Sequence, residues 1–426
     1  MTNNVFNGLK ISPFFQSPKF AFLLIAHISS GAAFVFINIF LANKLNQTEF
    51  GLFVWIYAAS MICSQIAVFG SGTYYLNKYG KNSFDANLSV HSGPSFIILN
   101  FLFIFILSGL SGIYFGIDSS QLAYLACCFI SFVAVQISME MHVLRCQLKN
   151  LYKLQSIIFV APNVLRLSGL TALFYFFESL TFNFVILFLL AINFFILVAF
   201  TGKWMSLIKS FVLSISIGKY IKHFHNVSTR GIAEASFMIY TQIPVIVVAY
   251  VFSIEQSGIF AISLTFATIF LMPSAVFTKA FSPLLFQEAN KTKKLHYKIV
   301  LNFLYALASL GCLMSLGLYF TAEFLVTFFL NDSFNTSTAI IQTLCLYIFG
   351  RYLNTAISYS MYTHAFSSMH AIILITSIFA QLVFFFLAAQ FSLFTLHQVA
   401  WMMCALEFII FFATYKFLAS TAFEKS

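Results

Sequence analysis

Apolar runs of roughly 20 residues recur along the whole chain, separated by short polar connections, and each is long enough to cross about 30 Å of hydrocarbon as a helix. The runs predict twelve membrane-spanning helices, over about 20–42, 50–70, 93–116, 121–145, 156–177, 180–201, 230–252, 258–278, 297–320, 338–361, 369–391 and 395–418. A chain crossing lipid must satisfy its backbone N–H and C=O groups internally, which a helix does within each span. The predicted fold class is therefore an all-α membrane protein. The first apolar run is too long for the core of a cleavable signal peptide and reads as an uncleaved first span.

Composition agrees with the pattern. Hydrophobic residues make up 61% of the 426 positions and charged residues only 8%, with a mean hydropathy of +0.93. A soluble domain is about 25% charged. The formal net charge is +10, and its distribution matters more than its size. Lys10, Lys19, Lys78, Lys81, Arg145, Lys149 and Lys153 fall on one side of the predicted membrane. So do Lys203, Lys209, Lys219, Lys222, Arg230, Lys279, Lys291, Lys293, Lys294, Lys298, Lys416 and Lys425, whereas the opposite connections hold Lys44 alone. Basic connections stay in the cytoplasm, so both termini are expected there. The positive charge is then a feature of the inner leaflet and no sign of nucleic-acid binding.

The chain contains short echoes of itself. TEFGLF, from Thr48 to Phe53, lies between spans 1 and 2, and EQSGIF, from Glu255 to Phe260, lies between spans 7 and 8. FGIDS, from Phe115, joins spans 3 and 4, and FLNDS, from Phe329, joins spans 9 and 10. Each pair is separated by about half the chain. The expected architecture is two pseudo-symmetric six-helix bundles, 1–201 and 230–426, in the same orientation. Residues 202–229 join them as a cytoplasmic linker. In it Trp204, Leu207, Ile208, Phe211, Val212 and Ile215 recur at helical spacing beside Lys203 and Lys209. That pattern predicts a helix lying in the membrane interface; a short continuation of span 6 is the alternative.

Chemistry must come from inside the membrane, because the outer connections are short. No Gly-rich phosphate loop, HExxH or GxSxG pattern occurs; no enzyme activity, metal site or cofactor is expected. The seven cysteines fall in or at the ends of spans, without metal-ligand spacing. Ionisable residues within spans are the functional candidates. Arg166 lies midway along span 5 and Arg351 midway along span 10, and each needs a partner or a wet cavity. Thr343, Tyr347, Arg351, Asn354, Ser358 and Tyr362 form one polar stripe, either the lining of a cavity or a buried packing seam. Ser156, Asn163 and Arg166 repeat the idea beside Pro162. His27 shares a face with Ser30, Gly31 and Asn38. The candidates for the substrate path are Arg351, Arg166, Asn354, Tyr347, Asn163, Ser358 and His27. The candidates for ion coupling or gating are Glu234, Glu140 and Arg230, although the i, i+4 spacing of Arg230 and Glu234 also suits a plain salt bridge. Glu407 reads as a protonated or lipid-adjacent acid.

Five segments carry a family resemblance: NKLNQTEFGLF from Asn43, FGSGTYYLNKYGK from Phe69, HVLRCQLKNLYKLQ from His142, IEQSGIF from Ile254, and FLNDSFNTSTA from Phe329. With twelve spans in two halves, the chain resembles the multidrug/oligosaccharidyl-lipid/polysaccharide transporter superfamily, and within it the O-antigen and capsule repeat-unit flippases. The resemblance implies alternating access in a bacterial inner membrane. It implies an undecaprenyl-diphosphate-linked oligosaccharide as cargo, membrane lipids as surroundings, and H+ or Na+ as a coupling ion. The two central arginines, one per half, suit a diphosphate. An ion-coupled drug or cation antiporter of the same superfamily is the alternative, and it would favour a cavity dominated by acids. A membrane polysaccharide polymerase would need a large periplasmic loop, which this chain lacks.

Overall fold

The computed structural model describes residues 18–72, 74, 100, 119–148, 151–177, 181–201, 217–292, 295–363, 367–391, 394–421 and 423–424. Eleven α-helices run through them: α1 Pro18–Lys44, α2 Gln47–Val68, α3 Ser119–Leu148, α4 Tyr152–Phe176, α5 Phe182–Thr201, α6 Ile217–Val251, α7 Ile254–Thr292, α8 Tyr297–Phe329, α9 Ser337–Thr363, α10 Ser367–Phe391 and α11 Leu396–Thr421. Residues Leu295–His296 (β1) and Phe423–Glu424 (β2) pair in parallel as a two-residue ladder.

Ten of these helices are long and apolar enough to cross a membrane, which makes the chain a multi-pass membrane protein. The other is α9, whose polar stripe lowers its hydropathy. Eleven of the twelve expected spans coincide with helices. The expected span 93–116 lies outside the described residues apart from Asn100. The structure thus supports an all-helical membrane fold and does not by itself reach the count of twelve. The interfacial stripe at 204–215 also lies outside the described residues. Residues 217–229, expected in the linker, form the first turns of α6. No proline interrupts them, and the helix continues without a break into the apolar segment.

By contacts the chain divides into two compact units, Met1–Gly51 with Val247–Ser426, and Leu52–Ile246. α1 thus falls with the later helices, and residues 217–246 of α6 fall with the earlier ones. In the first unit α9 is central and packs on α7, α8 and α11, while α1 packs on α7. Tyr352 of α9 is fully buried there, and its hydroxyl donates to the carbonyl of Phe270 at 2.7 Å. In the second unit α3 packs on α4 and α5, which pack on each other. The trio α9, α10 and α11 makes the same set of pairings in the first unit. Lipid supplies no hydrophobic drive between helices, so these contacts rest on close packing and interhelical hydrogen bonds.

Candidate transport site

Helix α3 carries two faces. Val133, Ile137, Met141 and Leu144 recur at helical spacing and bury with Ala67 and Val68 of α2 and Val227 of α6. This apolar cluster fixes α3 against α2 and α6. The neighbouring face of α3 presents Gln136, Glu140 and Gln147 to a cavity of about 240 Å³, closed also by Phe159 of α4 and Glu234 of α6. Gln136 Nε2 donates to Glu140 Oε1 at 3.4 Å. Glu234, one turn after Arg230, accepts from Gln65 Nε2 of α2 at 3.2 Å. Two carboxylates from different helices therefore face one small space, each oriented by a glutamine amide. Like charges in a low-dielectric cavity attract a cation or a proton between them. Arg230 is half-buried.

Arg166 lies deeper in the same unit, 7% exposed. Its Nε donates to Asn193 Oδ1 of α5 at 2.9 Å, and Nη1 donates to Asn163 Oδ1 at 3.3 Å. Asn193 Nδ2 in turn donates to Ser131 Oγ of α3 at 2.9 Å, which sets the direction of its amide. The guanidinium carbon sits 4.8 Å from the ring centre of Phe132, a cation–π contact. Pro162, one turn before Arg166, is accommodated within α4.

Arg351 has a different environment. Its Nη1 donates to Glu407 Oε1 of α11 at 3.1 Å, with side chains 12% and 0% exposed. Asn354 Nδ2 donates to the same carboxylate at 2.5 Å and to the Glu407 carbonyl at 2.7 Å. Gly350 permits this approach, since a Cβ there would lie 2.8 Å from the Glu407 Cβ. About two turns before Arg351, Thr343 Oγ1 meets His397 Nε2 of α11 at 2.6 Å. Thr343 and Asn354 are buried, as is Tyr347, and Ser358 is half-buried. The expected stripe is thus hydrogen-bonded to α11 through Thr343, Arg351 and Asn354. Glu407, expected as a protonated or lipid-adjacent acid, is instead fully buried in an ion pair.

His27 is half-buried on α1 in the first unit. On its face Gly31 lies against Met272 of α7, and Asn38 donates back to the Phe34 carbonyl at 2.9 Å. The structure therefore brings Glu140 and Glu234 together, joins Asn163 to Arg166, and joins Asn354 to Arg351. Sequence reasoning missed Glu407, Asn193, His397 and Gln65 as partners. One signal for Glu407 was available: it lies roughly midway along its span, the depth at which Arg351 needs an acid.

No protein-family model matches this sequence, and no curated protein matches it. Solved structures do. A multidrug resistance MATE family transporter of the MOP superfamily, in an inward-facing conformation, aligns with a TM-score of 0.70 at 10% identity, over 93% of this chain and 98% of the other. A MATE transporter from Vibrio cholerae, VcmN, aligns with a TM-score of 0.63 at 12% identity, over 98% of both chains. A MOP superfamily transporter from Pyrococcus furiosus aligns with a TM-score of 0.62 at 10% identity, over 94% of this chain and 96% of the other. That protein is described by a binding pocket of reverse polarity that suggests a different function. The chain shares the fold of these solved MATE transporters.

Proposed function

We propose that this chain is an ion-coupled transporter that moves an undecaprenyl-diphosphate-linked oligosaccharide repeat unit from the cytoplasmic to the periplasmic leaflet of a bacterial inner membrane, by alternating access, for surface polysaccharide synthesis. The observation that carries ion coupling is the meeting of Glu140 and Glu234 at one cavity. Their carboxylates take and release H+ or Na+, and Arg230 sits one turn from Glu234 on the cytoplasmic side. The cargo reading is supported by the five motif segments and by a buried guanidinium, Arg166, that has Asn163 beside it. Both termini are cytoplasmic in this reading, as the Lys and Arg distribution requires.

A second reading, an ion-coupled drug or cation antiporter, is favoured by one specific feature. The ionisable groups lining the cavity are both acids, whereas Arg351 is matched by Glu407. The neighbouring folds include one described by a pocket of reverse polarity, so the fold alone does not choose the cargo.

Expression in a bacterial strain lacking its own repeat-unit flippase separates the two. Restored surface glycan, with unchanged efflux of a cationic dye, is the expected result. Dye efflux without glycan would overturn the flippase reading in favour of the antiporter.

A further inference from the structure

Helix α2 ends in a strained way. A helix commonly closes on one left-handed residue, most often glycine. Gly70, at φ +68°, takes that conformation, but Phe69 before it is left-handed as well, at φ +41°. A Cβ disfavours this region by roughly fivefold to thirtyfold relative to glycine. Among the described residues Phe69 is the only non-glycine with a positive φ. Ser71 and Gly72 are helical again, so the helical path is broken at 69–70 rather than finished there.

The contacts that hold the break come from α6. The Phe69 ring stacks on Phe224, with centroids 5.3 Å apart and planes 6° from parallel. Ser71 Oγ and His223 Nε2, both buried, lie 3.3 Å apart. Gly231 leaves room for the turn, since a Cβ there would lie 2.5 Å from Phe69 Cδ1 and 2.7 Å from the Phe69 carbonyl oxygen. Gly70 comes equally close: its Cβ would lie 2.5 Å from the Gly231 nitrogen. One turn away on each helix, Gln65 donates to Glu234. Strained residues persist where their surroundings over-determine them, and they cluster at switch regions.

We propose that Phe69–Gly70 is a two-state break that gates the cavity shared by Glu140 and Glu234. Val68, before the break, and Gly72, after it, both line that cavity. The latched state is the one described above. When α6 withdraws Phe224, Phe69 returns to the right-handed region, residues 69–72 continue α2, and Gly72 leaves its place in the cavity wall. The bond from Gln65 ties this seam to the cavity. A cation taken up by Glu234 competes with Gln65 for the carboxylate and so loosens the latch. That last step rests on the ion-coupling reading above, whereas the break itself does not.

Gly72 supplies the probe position, because a Cβ there meets nothing within 4 Å. The full chain carrying Gly72→Cys is labelled in inverted vesicles with a membrane-impermeant maleimide, and the chain without that cysteine gives the background. Phe69→Ala and Phe69→Gly are a matched pair. Both remove the ring, but only alanine keeps the Cβ that opposes the latched backbone. Labelling should be about fivefold or more faster in Phe69→Ala than in Phe69→Gly. Phe224→Ala changes an exposed residue of α6 and leaves α2 intact, so it decides the matter if the Phe69 variants fail to fold. It should raise labelling above that of the Gly72→Cys parent. Equal rates in the matched pair, or parent-level labelling in Phe224→Ala, would overturn the gate. The expected rate difference in a protein whose transport ignores ion gradients would keep the gate and sink the coupling reading. Gradient-driven transport with equal labelling rates would do the reverse.

Discussion

Gly51 and Gly258 meet backbone to backbone: a Cβ on Gly258 would lie 3.2 Å from the Gly51 Cα and 3.0 Å from the Gln47 carbonyl oxygen. These are the glycines of TEFGLF and EQSGIF, each one turn into its helix, α2 and α7. The two echoes of one motif thus touch. The contact is lopsided, because a Cβ on Gly51 would collide with the Ile254 carbonyl, which is rigid backbone. Gly51→Ala should therefore cost about 1–3 kcal/mol, the range for overpacking, and Gly258→Ala clearly less. Thermal unfolding of the two variants in detergent gives the order; equal melting temperatures would contradict it.

A reciprocal amide clasp lies beside that contact. Asn43 Nδ2 donates to the Phe329 carbonyl at 2.6 Å, and Asn331 donates from its backbone N to Asn43 Oδ1 at 3.0 Å and from Nδ2 to the Asn43 carbonyl at 3.1 Å. Gln47 donates to the Ser333 carbonyl, and Phe50 meets Phe334 edge to face, with centroids 6.0 Å apart. In the alternating-access reading proposed above, this clasp opens during the cycle. Joining Asn43→Cys to Asn331→Cys with a short thiol linker should arrest transport, and reducing the linker should restore it. Full transport by the cross-linked protein would make the clasp a permanent staple.

Glu407→Gln leaves the Arg351 cation without its carboxylate. Breaking a buried pair from one side costs about 3–5 kcal/mol, whereas neutralising both partners is often mild. The double variant Arg351→Gln with Glu407→Gln should accordingly melt well above Glu407→Gln alone. A double-mutant cycle on melting temperatures checks this, and additive losses would show that the two residues act separately.

Glu140 and Glu234 face one cavity, so their neutral replacements should uncouple transport from the ion gradient. Glu234→Gln, with Glu140→Gln tested beside it, is expected to slow gradient-driven transport at least tenfold in inverted vesicles. Slow downhill movement should survive a protonophore. If Glu234→Gln responded to the gradient as wild type does, Glu234 would be a structural residue.

Much of the scaffold was legible because lipid imposes a simple rule. A span must be apolar and about 20 residues long, and the chain writes that pattern plainly. The polar stripe on α9 was also legible, since helical periodicity reveals which residues share a face. Its partner was not. Arg351 and Glu407 are 56 positions apart on different helices, and periodicity within one segment says nothing of which neighbour it meets. The same holds for Asn193 with Arg166 and for Gln65 with Glu234. The length of α6 was missed for another reason. Its first turns are polar, so hydropathy marked 217–229 as a connection although the backbone stays helical.

The pairing of α9 with α11 also bears on how the protein is made. During synthesis Arg351 leaves the ribosome well before Glu407 exists. Until then α9, too polar to join the ten apolar helices, must shelter against earlier segments or linger at the insertion machinery. Completion of the last helix supplies the missing negative charge. A chain truncated ahead of α11 would keep Arg351 without this carboxylate.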